Sequence, residues 1–150
     1  MPLKPKKINR FLLFKLPAAY LTGVRLKSID SEKCITTVKY RWINQNPFKS
    51  MFWAVQGMAA ELSTGALVMN YVQDSGLNIS MLLANNKGNY FKKALGRINF
   101  TCTDGLLIEE TIEKAIITNE GQICLMRSKG EDSQGNVVSE FEFEWTIKVK

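Results

Sequence analysis

A chain of 150 residues that holds no histidine has few ways to move a proton near neutral pH. Ser-His-Asp and Cys-His arrangements, helical zinc-protease motifs and most catalytic zinc or non-haem iron sites draw on imidazole for its pKa and its ligand geometry. The acid–base groups that remain are carboxylates, Lys, Tyr and Cys. Cys34, Cys102 and Cys124 are scattered without metal-type spacing and have no base beside them in sequence, which reads first as buried thiols in a reducing compartment and leaves nucleophilic catalysis by Cys as a third option. No metal and no cofactor are expected.

Glu61 is the strongest candidate. It lies in the middle of residues 51–72 (MFWAVQGMAAELSTGALVMNYV), a segment otherwise apolar around nearly its whole circumference. On a helix, Gly57, Thr64 and Gly65 fall one turn away, so the carboxylate projects beside two positions that have no side chain. A poorly solvated carboxylate has a raised pKa, and space lined by glycine is where a substrate can approach. The competing reading is an ion pair with a Lys or Arg across a dimer, serving structure only. Gln56, Ser63 and Thr64 could support Glu61 or a water, or be ordinary helix polarity.

These residues need a scaffold. Residues 51–72 predict a helix of about 22 residues, roughly 33 Å long. That could span a bilayer, but a central Glu and the antiparallel pattern around it favour a buried core helix. Before it, residues 8–21 predict an amphipathic helix interrupted near Pro17 and ending near Gly23. Val24 to Trp42 alternate as a hairpin, with Cys34, Thr36, Val38, Tyr40 and Trp42 on one face. After it, residues 79–91 and 96–102 read as strands, although Asn85-Asn86-Lys87-Gly88-Asn89 has the composition of a turn. Residues 106–117 suggest a short helix with Leu107, Thr111, Ile112 and Ala115 sharing a face. Residues 123–129 and 137–150 are strands flanking EDSQGN, and Phe141, Phe143, Trp145, Ile147 and Val149 alternate with polar neighbours. Two strands, a long apolar helix and four strands predict an α+β domain with one helix held in a curved antiparallel sheet.

Asn46 to Gly65 (NPFKSMFWAVQGMAAELSTG) resembles the N-x-x-G-x-x-H-G-G-x-x-x-x-L-A-D-x-A signature of PaaI-type hotdog thioesterases. Laid over it without a gap, the motif's asparagine falls on Asn46 and its acid on Glu61. Tyr90-Phe91-Lys92-Lys93-Ala94 is similar to the family's F-x-x-P-A strand, and the likeness covers most of residues 24–150 in element order, nearest to histidine-poor members of unknown function. The resemblance implies a hotdog fold over 24–150 with a helical extension at 1–22, and a homodimer or homotetramer. It also implies acyl-CoA or a similar small thioester as substrate. Glu61 would be base or nucleophile with Asn46 beside it. Backbone N–H groups of Trp53 or Ala54 would hold the carbonyl oxygen, and Gln56 and Thr64 would line the substrate site. Lys92 and Lys93, adjacent on a strand and so facing opposite sides of the sheet, would offer charge to CoA phosphates or, as is the default for such a pair, be solvated surface. Here Lys49 stands for the motif's first glycine, Phe52 for its histidine, and Trp53 and Ala54 for its paired glycines. These departures open a second reading, a non-catalytic module that binds an acyl chain or other apolar ligand.

The net charge of +6 is an N-terminal property: residues 1–29 carry seven basic residues and no acid, while the rest balance at 13 basic and 14 acidic. Without a recognisable module, nucleic acid is not an expected partner. Lys15 and Pro17 break the apolar run after the basic start, so a cytoplasmic chain without a leader is expected.

Overall fold

Pro5 and Pro17 each open a helix, where a missing N–H costs nothing. In the computed structural model, which describes residues 3–150, α1 (Pro5–Lys15) and α2 (Pro17–Leu21) are separated by Leu16. The interruption predicted near Pro17 is therefore present, though the first helix starts earlier than residue 8. Ile8 and Leu12 are the buried positions of α1. Asn9 joins this helix to the sheet: its Oδ1 accepts the Leu26 N–H at 2.8 Å and its Nδ2 donates to the Leu26 carbonyl at 3.1 Å.

Strands β1 (Arg25–Ile29) and β2 (Cys34–Lys39) form the hairpin. Asp30 Oδ1 closes its turn by accepting the N–H groups of Glu32 and Lys33, each at 2.8 Å, and these bonds hold the carboxyl below its ordinary pKa. The alternation expected through Tyr40 and Trp42 stops at Lys39, and Trp42–Asn44 form a 3₁₀ turn, η1, with Trp42 81% exposed. Buried Asn44 explains the departure. Its Oδ1 accepts the Arg41 N–H at 2.8 Å and its Nδ2 donates to the carbonyls of Thr22 and Lys39, both at 2.9 Å. Three backbone groups thus find a side-chain partner that continued pairing would not give them.

The long helix α3 runs from Trp53 to Ser75, and Gly76 ends it in the left-handed region at φ 67°. It is continuous, and residues on every side of it are buried. β3 (Ile79–Tyr90), β4 (Arg97–Cys102), α4 (Gly105–Thr118), β5 (Gln122–Glu131) and β6 (Val137–Val149) follow. The six strands make one antiparallel sheet in the order β1-β2-β4-β5-β6-β3, curved around α3, with β1 and β3 at its edges. This is the hotdog arrangement. No helix among the described residues is long and apolar enough to cross a membrane.

Two local expectations are corrected. Asn85 to Asn89 are not a turn but part of β3, paired with Glu144 to Glu140 of β6 after a bulge between Leu83 and Asn85. Turn-forming residues tolerate strand geometry here because β6 satisfies one side of the backbone and the other side is a solvent-facing edge. In α4 the buried positions are Gly105, Ile108, Ile112 and Ala115, whereas Leu107 is 42% exposed. The inward set of β6 is as predicted except that Val149 is only partly buried. Phe141 and Phe143 stack at 5.9 Å, and Phe100 of β4 meets Phe141 edge-on at 6.1 Å.

Candidate functional site

The approach to α3 is a loop organised by Asn46. Its Oδ1 accepts the N–H groups of Phe48 (2.9 Å) and Ser50 (3.2 Å), and its Nδ2 donates to Ser50 Oγ at 3.0 Å. Every polar atom of Asn46 is therefore engaged by the loop itself. Within this loop Lys49 takes φ +59°, a left-handed conformation that costs a residue with a Cβ about 1 kcal/mol. The glycine of the resembling motif is replaced here in identity, while the backbone keeps the conformation that suits glycine.

The helix then starts without a side-chain cap. The Phe52 carbonyl accepts the N–H groups of Val55 (3.0 Å) and Gln56 (3.3 Å). Among the described residues, the Trp53 and Ala54 N–H groups meet no acceptor. Two unpaired donors at the positive end of a 23-residue helix form a site for partial or full negative charge.

Two neighbouring clefts meet this helix start. The first, about 480 Å³, brings together Asn46, Trp53, Gln56, Tyr90, Lys92 and Lys93. The second, about 370 Å³, follows one stripe of α3 through Trp53, Ala54, Gly57, Met58 and Glu61, opposite Gly88 and Tyr90 of β3 and Phe141 of β6. Trp53 and Tyr90 line both. A side chain at Gly88 would stand 2.9 Å from the Phe141 ring, so a larger residue there would have to displace that ring.

Glu61 ends the second cleft. Burial alone raises its pKa above the usual carboxylate value, and no hydrogen bond or ion pair reaches its carboxyl among the described residues. Beyond it lies a small void of about 60 Å³ roofed by Ile8 and Phe11 of α1 and by Leu16, with Gly65 and Trp145 at its side. The two glycines flanking Glu61 do not both leave open space. Gly57 lines the cleft, but a Cβ at Gly65 would stand 3.2 Å from the Trp145 ring, which fills that position.

Thr64 lines none of these spaces. Its hydroxyl donates to the Glu61 carbonyl at 2.9 Å and accepts the indole N–H of Trp145 at 2.9 Å, so it fixes the ring that backs Gly65. Gln56 is buried, donating to the Met51 carbonyl at 3.2 Å and accepting from Ser139 Oγ at 2.8 Å. Lys92 and Lys93 do not face opposite sides of a sheet, because β3 ends at Tyr90 and both lie beyond it at the mouth of the first cleft. There Lys92 Nζ stands 3.7 Å from Asp132 and Lys93 Nζ donates to the Phe48 carbonyl at 3.2 Å. Sequence reasoning missed Gly88, Phe141, Trp145, Phe11 and Leu16, which reach the site only through folding. Gly88 carried a visible signal, a glycine inside a strand, obscured by its turn-like neighbours.

The cysteines supply no alternative chemistry. Burial holds all three thiols protonated, Cys102 being pushed up to about 12. A further polar cleft of about 500 Å³ lies around Asp104, Arg127, Glu140 and Glu142, contains none of the predicted site residues, and has its Arg127 and Glu142 paired at 3.2 Å.

Similar folds are known. A probable thioesterase of unknown function from Pseudomonas aeruginosa superposes with a TM-score of 0.81 at 21% identity, covering 100% of this chain and 99% of its own. A protein of unknown function from Chlorobaculum tepidum gives 0.82 at 16%, covering 97% and 94%. A thioesterase from Haemophilus influenzae gives 0.73 at 11%, covering 99% and 93%. No curated protein matches. The family profile described as a domain of unknown function, DUF4442, matches residues 5–147. With that span, and with the hotdog fold, the chain belongs to the DUF4442 family.

Proposed function

We propose that this protein is a hydrolase of acyl-CoA or a closely related small acyl thioester, acting as a homodimer with Glu61 as general base. The observation that carries the reading is the placement, along one cleft, of an unpartnered carboxylate and two unpartnered helix-start N–H groups. In the step envisaged, Glu61 takes a proton from water as the water oxygen bonds to the thioester carbon. The Trp53 and Ala54 N–H groups stabilise the resulting oxyanion, which reforms its carbonyl and expels the thiolate. The carboxylic acid leaves, and the proton held by Glu61 returns to the thiolate or solvent.

One chain cannot supply both functions to one carbonyl. Seven or eight residues of helix separate the donors from Glu61, about 11–12 Å at ~1.5 Å per residue, whereas each must come within about 3 Å of the reacting group. A two-fold pairing that sets the helix start of one chain opposite Glu61 of the other removes the difficulty. Edge strand β3, which borders the cleft, is the natural place for it. Asn46 then acts as a positioning residue for the loop, and Lys92 and Lys93 offer charge to the CoA phosphates at the cleft mouth. Trp53, 58% exposed and edge-on to Phe52 at 5.8 Å, stands at that mouth rather than inside it.

A second reading, a non-catalytic binder of acyl or other apolar groups, draws on the same aromatic cleft and on the bulky Phe52-Trp53 pair. Light scattering together with a thiol-release assay over short, long and aromatic acyl-CoAs separates the two. The proposal expects a particle of at least twice 17.0 kDa and turnover that falls at least ~10²-fold in Glu61→Gln with little loss of binding. Turnover that survives this substitution overturns the mechanism, and binding without any turnover selects the second reading.

A further inference from the structure

Among the described residues, Glu61 is the one that lines both the 370 Å³ cleft and the 60 Å³ void beyond it. The cleft side runs along α3 to Trp53 and Tyr90, which also line the cleft that holds Lys92 and Lys93, whereas the void side is apolar and roofed by α1. A thioester that reaches Glu61 must send its two arms in different directions. The polar, phosphate-bearing arm suits the side of Lys92 and Lys93. The other arm meets Leu62, Met69, Met81 and Trp145 across the void, under Phe11 and Leu16.

We propose that the void under α1 is the terminal acyl subsite, and that Phe11 and Leu16 are the stop that sets acyl length, restricting the unaltered protein to short acyl groups. This rests on the thioesterase reading above. The void is about one sixth of the cleft volume and takes a short alkyl tail, not a fatty chain. Its walls come from four separate elements, and α1 is the one whose displacement enlarges it without opening the sheet. Phe11 and Leu16 are 39% and 44% exposed, so they bridge the void and solvent. Shortening either opens the far end while sparing Ile8 and Leu12, the positions by which α1 is anchored.

The test uses the full chain and a series of non-hydrolysable S-alkyl-CoA thioethers of increasing alkyl length, titrated by calorimetry so that binding is read independently of turnover. Wild type should lose affinity beyond a short chain. Phe11→Ala and Leu16→Ala should keep gaining for at least two further carbons, at about fourfold per extra buried methylene, and Phe11→Trp should shorten the limit. The opposite signs of the Ala and Trp variants separate a stop from general loosening. An unchanged length dependence across all four proteins overturns the stop while leaving the thioesterase reading intact. No binding of any thioether by wild type overturns both.

Discussion

The two halves of α3 are similar in composition and opposite in use. From Leu62 to Val68 every residue is buried, and nearby Asn70 holds the Leu3 N–H at 2.9 Å. Ser63 shares a hydrogen bond of 2.7 Å with Ser128, and Thr64 holds Trp145. From Trp53 to Glu61, by contrast, one stripe faces open clefts, two N–H groups lack acceptors, and the carboxylate lacks a counter-ion. Hydrophobicity along a helix therefore does not tell where the core is. The distinction comes from what the sheet brings against each half: Trp145 and Ser128 hydrogen-bond to one, whereas Tyr90 and Phe141 stand across a cleft from the other.

The largest expected contrast is in stability. Leu67→Ala in the sealed half removes a fully buried side chain and should cost about 2–5 kcal/mol. Met58→Ala in the open half should cost less than half as much, since the methionine is only partly buried and lines a cleft. Equal losses in urea unfolding would abolish the distinction between the halves.

A smaller effect concerns charge. The folded state raises the Glu61 pKa by burial, so it favours the protonated form. Its contribution to stability is complete below the unfolded-state pKa of ordinary glutamate and is lost as pH rises through the higher folded value. Glu61→Gln should accordingly melt higher than wild type at neutral pH, by on the order of 2–4 °C for each kcal/mol relieved, and the gap should close in acid. For the same reason, hydrolysis by wild type should rise with pH across a range above that of a free carboxylate. A melting difference that is constant from acid to neutral pH would remove the buried-carboxylate account.

Lys49→Gly is the mildest of the set. It relieves a left-handed lysine at φ +59° and adds chain entropy to the unfolded state, so a net change within about 1 kcal/mol, toward higher stability, is expected from chemical denaturation. A loss of more than that would mean that the lysine side chain, rather than the loop backbone, holds this entry to α3.

Local chemistry in the sequence made the frame legible. Strict alternation from Phe141 to Ile147 marked an inward face, the apolar run around Glu61 marked the central helix, and the absence of histidine singled out that carboxylate. The errors came where a distant partner overrode local composition. Asn85 to Asn89 follow β6 into a strand, Trp42 leaves the sheet because of Asn44, and the space at Gly65 belongs to a tryptophan eighty residues further on. The separation of Glu61 from Trp53 along the helix was already implied by their numbering. Its consequence for a shared carbonyl follows from the continuity of the helix that carries both.

The amide of Asn9, joined to both backbone groups of Leu26, also bears on how many copies can assemble. Edge strand β1 has five residues and a register shift after Leu26, and Asn9 takes up the backbone donor and acceptor of Leu26, the second residue of the strand. An approaching strand would have to displace this side chain and then follow a broken ladder. β3 is longer, at twelve residues, although it has a register shift of its own between Leu83 and Asn85. If the pairing proposed above runs through β3 about a two-fold axis, the Asn9-bonded edge at β1 is left on the outside of the pair, where it disfavours strand-by-strand growth into a filament.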